Sequence, residues 1–89
     1  MNKFNYTNEK IILINEDDNE VGFVLYSLNN NIFTIISTQV YDKYKGKGYA
    51  KILMNECERF LKENNYSLKP LCSYAKKYFS LNNDIKIIK

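Results

Sequence analysis

Val40 to Leu53 reads VYDKYKGKGYAKIL, and the change of hydrophobic period inside it decides the fold. Upstream, Ile32 to Val40 is a run of β-branched residues that predicts a strand. Downstream, Ala50, Leu53, Met54, Cys57, Phe60 and Leu61 recur at spacings of three and four, which predicts an amphipathic helix with Lys51, Glu58, Arg59 and Lys62 mainly on its other side. Lys45-Gly46-Lys47-Gly48 lies between the two, so it is a strand-to-helix turn. Such a turn aims unpaired backbone N–H groups outward at a helix start, where the dipole adds partial positive charge. Glycine permits positive φ and close approach of a bulky anion. A tight turn that needs glycine for its own backbone explains the same residues equally well, so the spacing alone is weak.

Two further β-runs precede this unit: Lys10 to Asn15, and Glu20 to Leu28. The polar Glu16-Asp17-Asp18-Asn19 and the Asn29-Asn30-Asn31 triplet supply the connections, asparagine being tolerant of left-handed angles. Three antiparallel strands in a meander are therefore expected before the helix. Asn64-Asn65 ends the helix. Ser67 to Leu71 reads as a short strand, with Pro70 near a sheet edge or exit. Cys72 to about Phe79 reads as a second helix burying Ala75, Tyr78 and Phe79. Asn82 to Lys89 reads either as a last strand or as a docked extension. The expected class is α+β, order β-β-β-α-β-α, in one domain spanning 1–89.

Bulk properties narrow the function. With 89 residues the core is thin, and eight tyrosines and five phenylalanines help fill it. The net charge of +3 is mild for a general nucleic-acid binder, and the excess is local. Lys43, Lys45, Lys47 and Lys51 lie together, with no acid between Lys43 and Asn55, which suits a small anionic ligand. The chain has no histidine, which removes His-based zinc sites and Ser-His or Cys-His nucleophilic sites. Cys57 and Cys72 are too few for a disulfide framework. No apolar run approaches membrane-spanning length and no signal peptide opens the chain, so a cytoplasmic protein without membrane or metal is expected. A Rossmann turn is excluded by the lack of a third glycine in register, and a P-loop by the lack of a following Gly-Lys-Ser/Thr.

Lys43-Tyr44-Lys45-Gly46-Lys47-Gly48 resembles the Q/R-x-x-G-x-G/A motif of the GCN5-related N-acetyltransferases (GNAT), with lysine at the usual Gln/Arg position. Pro70-Leu71-Cys72-Ser73-Tyr74 is similar to the Pro-x-Cys-Ser/Pro-Tyr/Phe signature of the minimal single-domain branch of that family. The resemblance covers roughly Glu20 to Phe79. It implies a GNAT-like fold and an acetyl-CoA pyrophosphate held by the backbone amides of Lys45, Gly46, Lys47, Gly48, Tyr49 and Ala50. Lys45, Lys47 and Lys51 would neutralise phosphate, and the pantetheine arm would pair with Thr38, Gln39 and Val40.

Acetyl transfer to an amine also needs a donor for the oxyanion and a proton for the leaving thiolate. Cys72, expected at a helix start, is a candidate either for a covalent acetyl intermediate or for lining the thioester pocket. It reads equally as a small gap-filling residue. Tyr74 and Tyr78 are candidates for the thiolate's proton donor, and both also suit core packing. One departure stands out: the branch commonly carries His-Thr-Glu-Val near the end of the third strand, where this chain has Ser37-Thr38-Gln39-Val40. The expectation is therefore an acetyl-CoA-dependent N-acetyltransferase with a small-molecule or protein amine as acceptor, or a weakly catalytic coenzyme binder acetylated on Cys72.

Overall fold

A computed structural model describes residues 2–81 and 84–88. Its strands are β1 (Lys3–Tyr6), β2 (Lys10–Ile14), β3 (Glu20–Asn29), β4 (Ile32–Val40) and β5 (Ser67–Pro70), with helices α1 (Tyr49–Asn64) and α2 (Ser73–Phe79). They form one sheet in the order β1-β2-β3-β4-β5, antiparallel up to β4 and parallel between β4 and β5. The α+β class and the three expected strands, helix, strand and helix are all present. The meander has one strand more than the sequence pattern indicated. Lys3–Tyr6 lacks a continuous apolar alternation and owes its place to β2, with Phe4 opposite Leu13 and Tyr6 opposite Ile11.

The turns follow from local chemistry. Thr7 Oγ1 accepts the amides of Glu9 and Lys10 between β1 and β2. Asn15 Oδ1 accepts those of Asp17 and Asn19, both at 3.0 Å, between β2 and β3. Asn30 and Asn31 take φ of 53° and 65°, the left-handed pair that a two-residue hairpin demands.

Alternation then sorts the sheet into two faces. Ile11 and Leu13 of β2, Val24 of β3, and Phe33 and Ile35 of β4 point inward and are fully buried. Leu53, Met54, Cys57 and Leu61 of α1, Leu68 of β5, and Ala75 and Phe79 of α2 complete the same cluster. Phe60 joins Tyr6, Phe33 and Tyr66 in an aromatic group beneath it. Tyr78 is half-buried, and its hydroxyl meets Asn55 and Glu58, tying α2 to α1. The alternate side chains Ile12, Ile14, Phe23 and Leu25 face the other way and are only half-buried. Where the tail is described, it makes a single parallel bridge, Ile87 to Leu68. It is a docked extension along β5.

Among the described residues, no helix is long and apolar enough to cross a membrane.

Candidate functional site

The site begins with an irregularity in β4. Tyr26 lies opposite Ile35 while Leu25 lies opposite Ser37, so Ile36 is an extra residue on β4. Pairing between β4 and β5 ends at Ile35 with Pro70. The carbonyl of Ile35 then accepts two amides, Leu71 at 2.9 Å and Cys72 at 3.4 Å, as the chain turns away into α2. From Ser37 to Val40, β4 stays paired with β3 on one side, opposite Leu25 to Gly22. Among the described residues its other edge has no strand partner.

After Val40 a 3-10 turn, Asp42–Tyr44, leads to the glycines. Gly46 and Gly48 have φ of +80° and +82°, and an added Cβ at either would have no atom within 4 Å. Backbone conformation, not lack of room, is what demands glycine here. The side they open faces space that a ligand can enter. Gly48 begins α1 with no side-chain cap and no acid in the first turn. The first helical bond runs from Ile52 N–H to the Gly48 carbonyl at 3.2 Å, which leaves the amides of Tyr49, Ala50 and Lys51 without acceptors in the helix.

A cleft of about 310 Å³ joins these parts. Thr38 and Val40 form its β4 wall, and Lys45, Gly46 and Gly48 its turn. Tyr49, Ala50 and Lys51 belong to the helix start, and Tyr74 of α2 and Tyr44 complete the lining. Gln39, Lys47 and Cys72, all singled out in the sequence, do not line it: Gln39 lies opposite Phe23, on the far face of the sheet. Lys45 is engaged with Asp42 at 3.0 Å, though both side chains are largely exposed. Lys47 and Lys51 have no ion pair among the described residues. Tyr44, which the sequence reading did not single out as a site residue, packs edge-on against Tyr49 with ring centroids 6.3 Å apart. Its signal was an aromatic residue placed just before the glycine turn.

Cys72 is half-buried beside the same wall, its Sγ 3.4 Å from Thr38 Oγ1. It is the N-cap of α2, accepting the Ala75 amide at 3.3 Å. The thiol thus lies between a hydroxyl and a backbone donor, and the residue packs against the core. Tyr74, 40% exposed, keeps its position in the cleft. Tyr78 does not line it: burial and its bond to Glu58 push its phenol up to about 12. Cys57 lies in the core, where burial pushes its thiol far up.

The acids are committed elsewhere. Glu20 accepts the Tyr41 hydroxyl. Glu56, nearly buried, receives Arg59 Nε at 2.9 Å and Nη2 at 2.6 Å and the Tyr6 hydroxyl at 2.5 Å. The Arg59 hydrogen bonds hold its carboxyl below the usual carboxylate range. Among the described residues no carboxylate lines the cleft. No group of three or more potential metal ligands occurs among the described residues.

A larger cleft, about 460 Å³, lies on another face of α2 and contains neither glycine turn nor helix start.

Residues 10–88 match the family model described as GCN5-related N-acetyl-transferase. The chain belongs to this family. A GCN5-like putative N-acetyltransferase from Staphylococcus aureus superimposes with a TM-score of 0.69 at 23% identity, covering 98% of this chain and 90% of that one. A ribosomal-protein-alanine N-acetyltransferase from Brucella melitensis gives 0.60 at 22% identity, over 85% of this chain and 62% of that one. Nourseothricin acetyltransferase gives 0.59 at 20% identity, over 80% and 46% respectively. At these identities the likeness is one of fold. The GNAT chain therefore covers nearly all of a similar-sized relative but about half of the larger enzymes. A search among curated proteins gives no match.

Proposed function

We propose that this GNAT domain, residues 1–89, binds acetyl-CoA at the glycine turn and transfers acetyl to an amine. The observation that carries the reading is the uncapped start of α1 beside the open edge of β4. Two positive-φ glycines with empty space over them suit a pyrophosphate, and the adjacent amides and lysines suit its charge. Gly46 through Ala50 would donate backbone N–H groups to it, with Lys45, Lys47 and Lys51 adding attraction. The unpaired edge at Thr38, Gln39 and Val40 would hold the amide-bearing pantetheine arm.

When bound, acetyl-CoA supplies a thioester carbonyl for an amine to attack and a thiolate to expel. Of the three phenols that line the cleft, Tyr44, Tyr49 and Tyr74, Tyr74 is the one carried by α2, two residues from Cys72, and would deliver the proton to that thiolate. Cys72 would stand beside the thioester, oriented by Thr38 and the Ala75 amide. The acceptor is a neutral amine on a small molecule or a protein.

A second reading has its own support. With Ser37 and Gln39 in place of a histidine and an acid, and no carboxylate lining the cleft, no side chain there is a ready base for an ammonium acceptor. The domain would then hold the coenzyme and take acetyl onto Cys72 Sγ, releasing CoA, with slow onward transfer.

Thermal unfolding in acetyl-CoA, CoA and ATP tests both readings. A ligand at about 100 times its dissociation constant adds roughly 2.7 kcal/mol, and no shift with either coenzyme sinks both. Intact mass of the wild type and of Cys72→Ala after incubation reveals acetylation of that thiol. Release of CoA only when an amine is supplied favours the transferase.

A further inference from the structure

The second cleft has a different chemistry from the first. Pro70 and Leu71 from the end of β5 and Ile87 and Ile88 from the tail give it a hydrocarbon lining. Its volume, about 460 Å³, is that of a small-molecule site. Leu71 is 51% exposed and Ile87 37% exposed, so large apolar side chains stay wet there. Among the described residues, the charged groups lining it are Lys69, from β5, and Lys76, from α2. Among the described residues neither has an ion pair, and none that lines the cleft carries a carboxylate.

The cleft is also separate from the coenzyme site. Around α2, Ala75 and Phe79 point into the core and Tyr74 faces the glycine turn, while Lys76 and Ser80 face this cleft. At the start of α2, Cys72 is the cap and accepts the Ala75 amide, and Lys69 and Lys76 give the cleft its basic character.

We propose that this cleft is a binding site for a small amphipathic carboxylate, an anion of moderate size with an aliphatic or aromatic body. The carboxylate lies against Lys69 and Lys76. The body covers Pro70, Leu71, Ile87 and Ile88 and removes their apolar surface from water. An organic ammonium of the same shape gains the apolar contact but meets two positive charges. A small anion without a body has only exposed lysines to hold it.

Octanoate, octylammonium and acetate separate these terms, read as amide chemical shifts of the intact chain. Octanoate should give saturable shifts at Leu71, Lys76, Ser80 and Ile87. Octylammonium should bind about tenfold more weakly or worse, the effect of two exposed ion pairs, and acetate should cause no shifts in this cleft. Lys69→Glu combined with Lys76→Glu should reverse the preference, with the spectrum confirming that the variant is folded. Coenzyme A titrated into the same variant reports on the other cleft, so failure here and failure of the transferase reading are distinct. Equal binding of octanoate and octylammonium overturns the proposal. So do octanoate shifts centred on Lys45 to Lys51, or sedimentation showing that a second copy of the chain covers this face.

Discussion

At its N-terminus α1 starts on Gly48 without a side-chain cap and without an acid in the first turn, and Lys45 and Lys51 line the cleft beside it. From Glu56 onward the same helix is closed on itself and on the sheet. Glu56 receives Arg59 and Tyr6, Arg59 also reaches Glu63, and Lys62 pairs with Glu58 at 3.0 Å. Asn65 then turns left-handed at φ 59°, and the amides of Asn65 and Tyr66 both return to the Leu61 carbonyl. One helix thus has a saturated half closed by side chains and an unsaturated half whose first amides are left open. A first-turn acid at the start would add about 0.3–1 kcal/mol and would repel an anion that the amides can hold. Where a helix omits an inexpensive stabiliser at one end only, that end is the place to look for a ligand.

The strongest way to break this contrast is to close the open end. Gly48→Ala should cost about 1–2 kcal/mol of stability, because alanine at φ +82° is strained although space is free. Its larger effect should fall on coenzyme affinity. If relaxing that strain moves two amides off the pyrophosphate, the loss is on the order of 100-fold. Calorimetric titration with CoA alongside urea unfolding measures the two separately. Unchanged affinity would mean that the glycines serve the turn alone.

Next in size is the closed half. Glu56→Ala removes the acceptor shared by Arg59 and Tyr6 and should cost about 2 kcal/mol, below the figure for a fully buried pair because Arg59 is half exposed and can rehydrate. CoA affinity of the folded variant should stay within about twofold, which calorimetry checks. The pH dependence has a fixed sign. The carboxyl is depressed in the fold, so its contribution is present above the unfolded value, about 4.3, and fades as pH falls through the lower folded value. The stability gap between wild type and Glu56→Gln should therefore be flat near neutrality and narrow below about pH 4. Tyr6 runs the other way: burial and Glu56 raise its phenol, so that contribution is lost only as pH climbs above about 10.

The open half was far more legible in the sequence than the closed one, for a physical reason. Lys45 to Lys51 is a contiguous segment whose meaning lies in local backbone chemistry: glycine for positive φ, a period change for the helix start. Glu56 sits at the border of the apolar stripe, and its partner Tyr6 is fifty residues away on a strand that carries no clear pattern. Neither shows its role until both are folded. The extra residue at Ile36 was hidden too, because Ile32 to Val40 is rich in β-branched residues on both sides of it and no glycine marks the bulge. Thr38 could be placed near the pantetheine arm by resemblance. Its 3.4 Å contact with Cys72 depends on two strands ending their pairing at Ile35, which no local signal announces.

Smaller effects test whether the lysines or the amides dominate the open end. Lys47→Gln and Lys51→Gln should each weaken CoA binding by roughly two- to fivefold, the range of a solvated ion pair. Most of that loss should vanish in about 0.5 M salt, where the Debye length is only a few ångströms. Lys51 lines the cleft and Lys47 does not, so Lys51 should be the larger of the two. Binding that stays salt-independent in both would assign the anion to the backbone alone.

The smallest prediction asks for a change at the closed end that leaves the open end untouched. Asn65 holds a left-handed angle, φ 59° and ψ 37°, at the end of α1, and its amide bonds the Leu61 carbonyl. Glycine adopts that angle without a Cβ penalty, though it also frees the unfolded chain. Asparagine already tolerates the region better than most residues, so the net gain from Asn65→Gly should be only about 0.5 kcal/mol. Urea unfolding should resolve it as a higher midpoint at the same slope, with CoA affinity unaltered. A matched change in affinity would show that the two halves of the helix are coupled, and that the saturated half also sets the geometry of the amides at Tyr49 to Lys51.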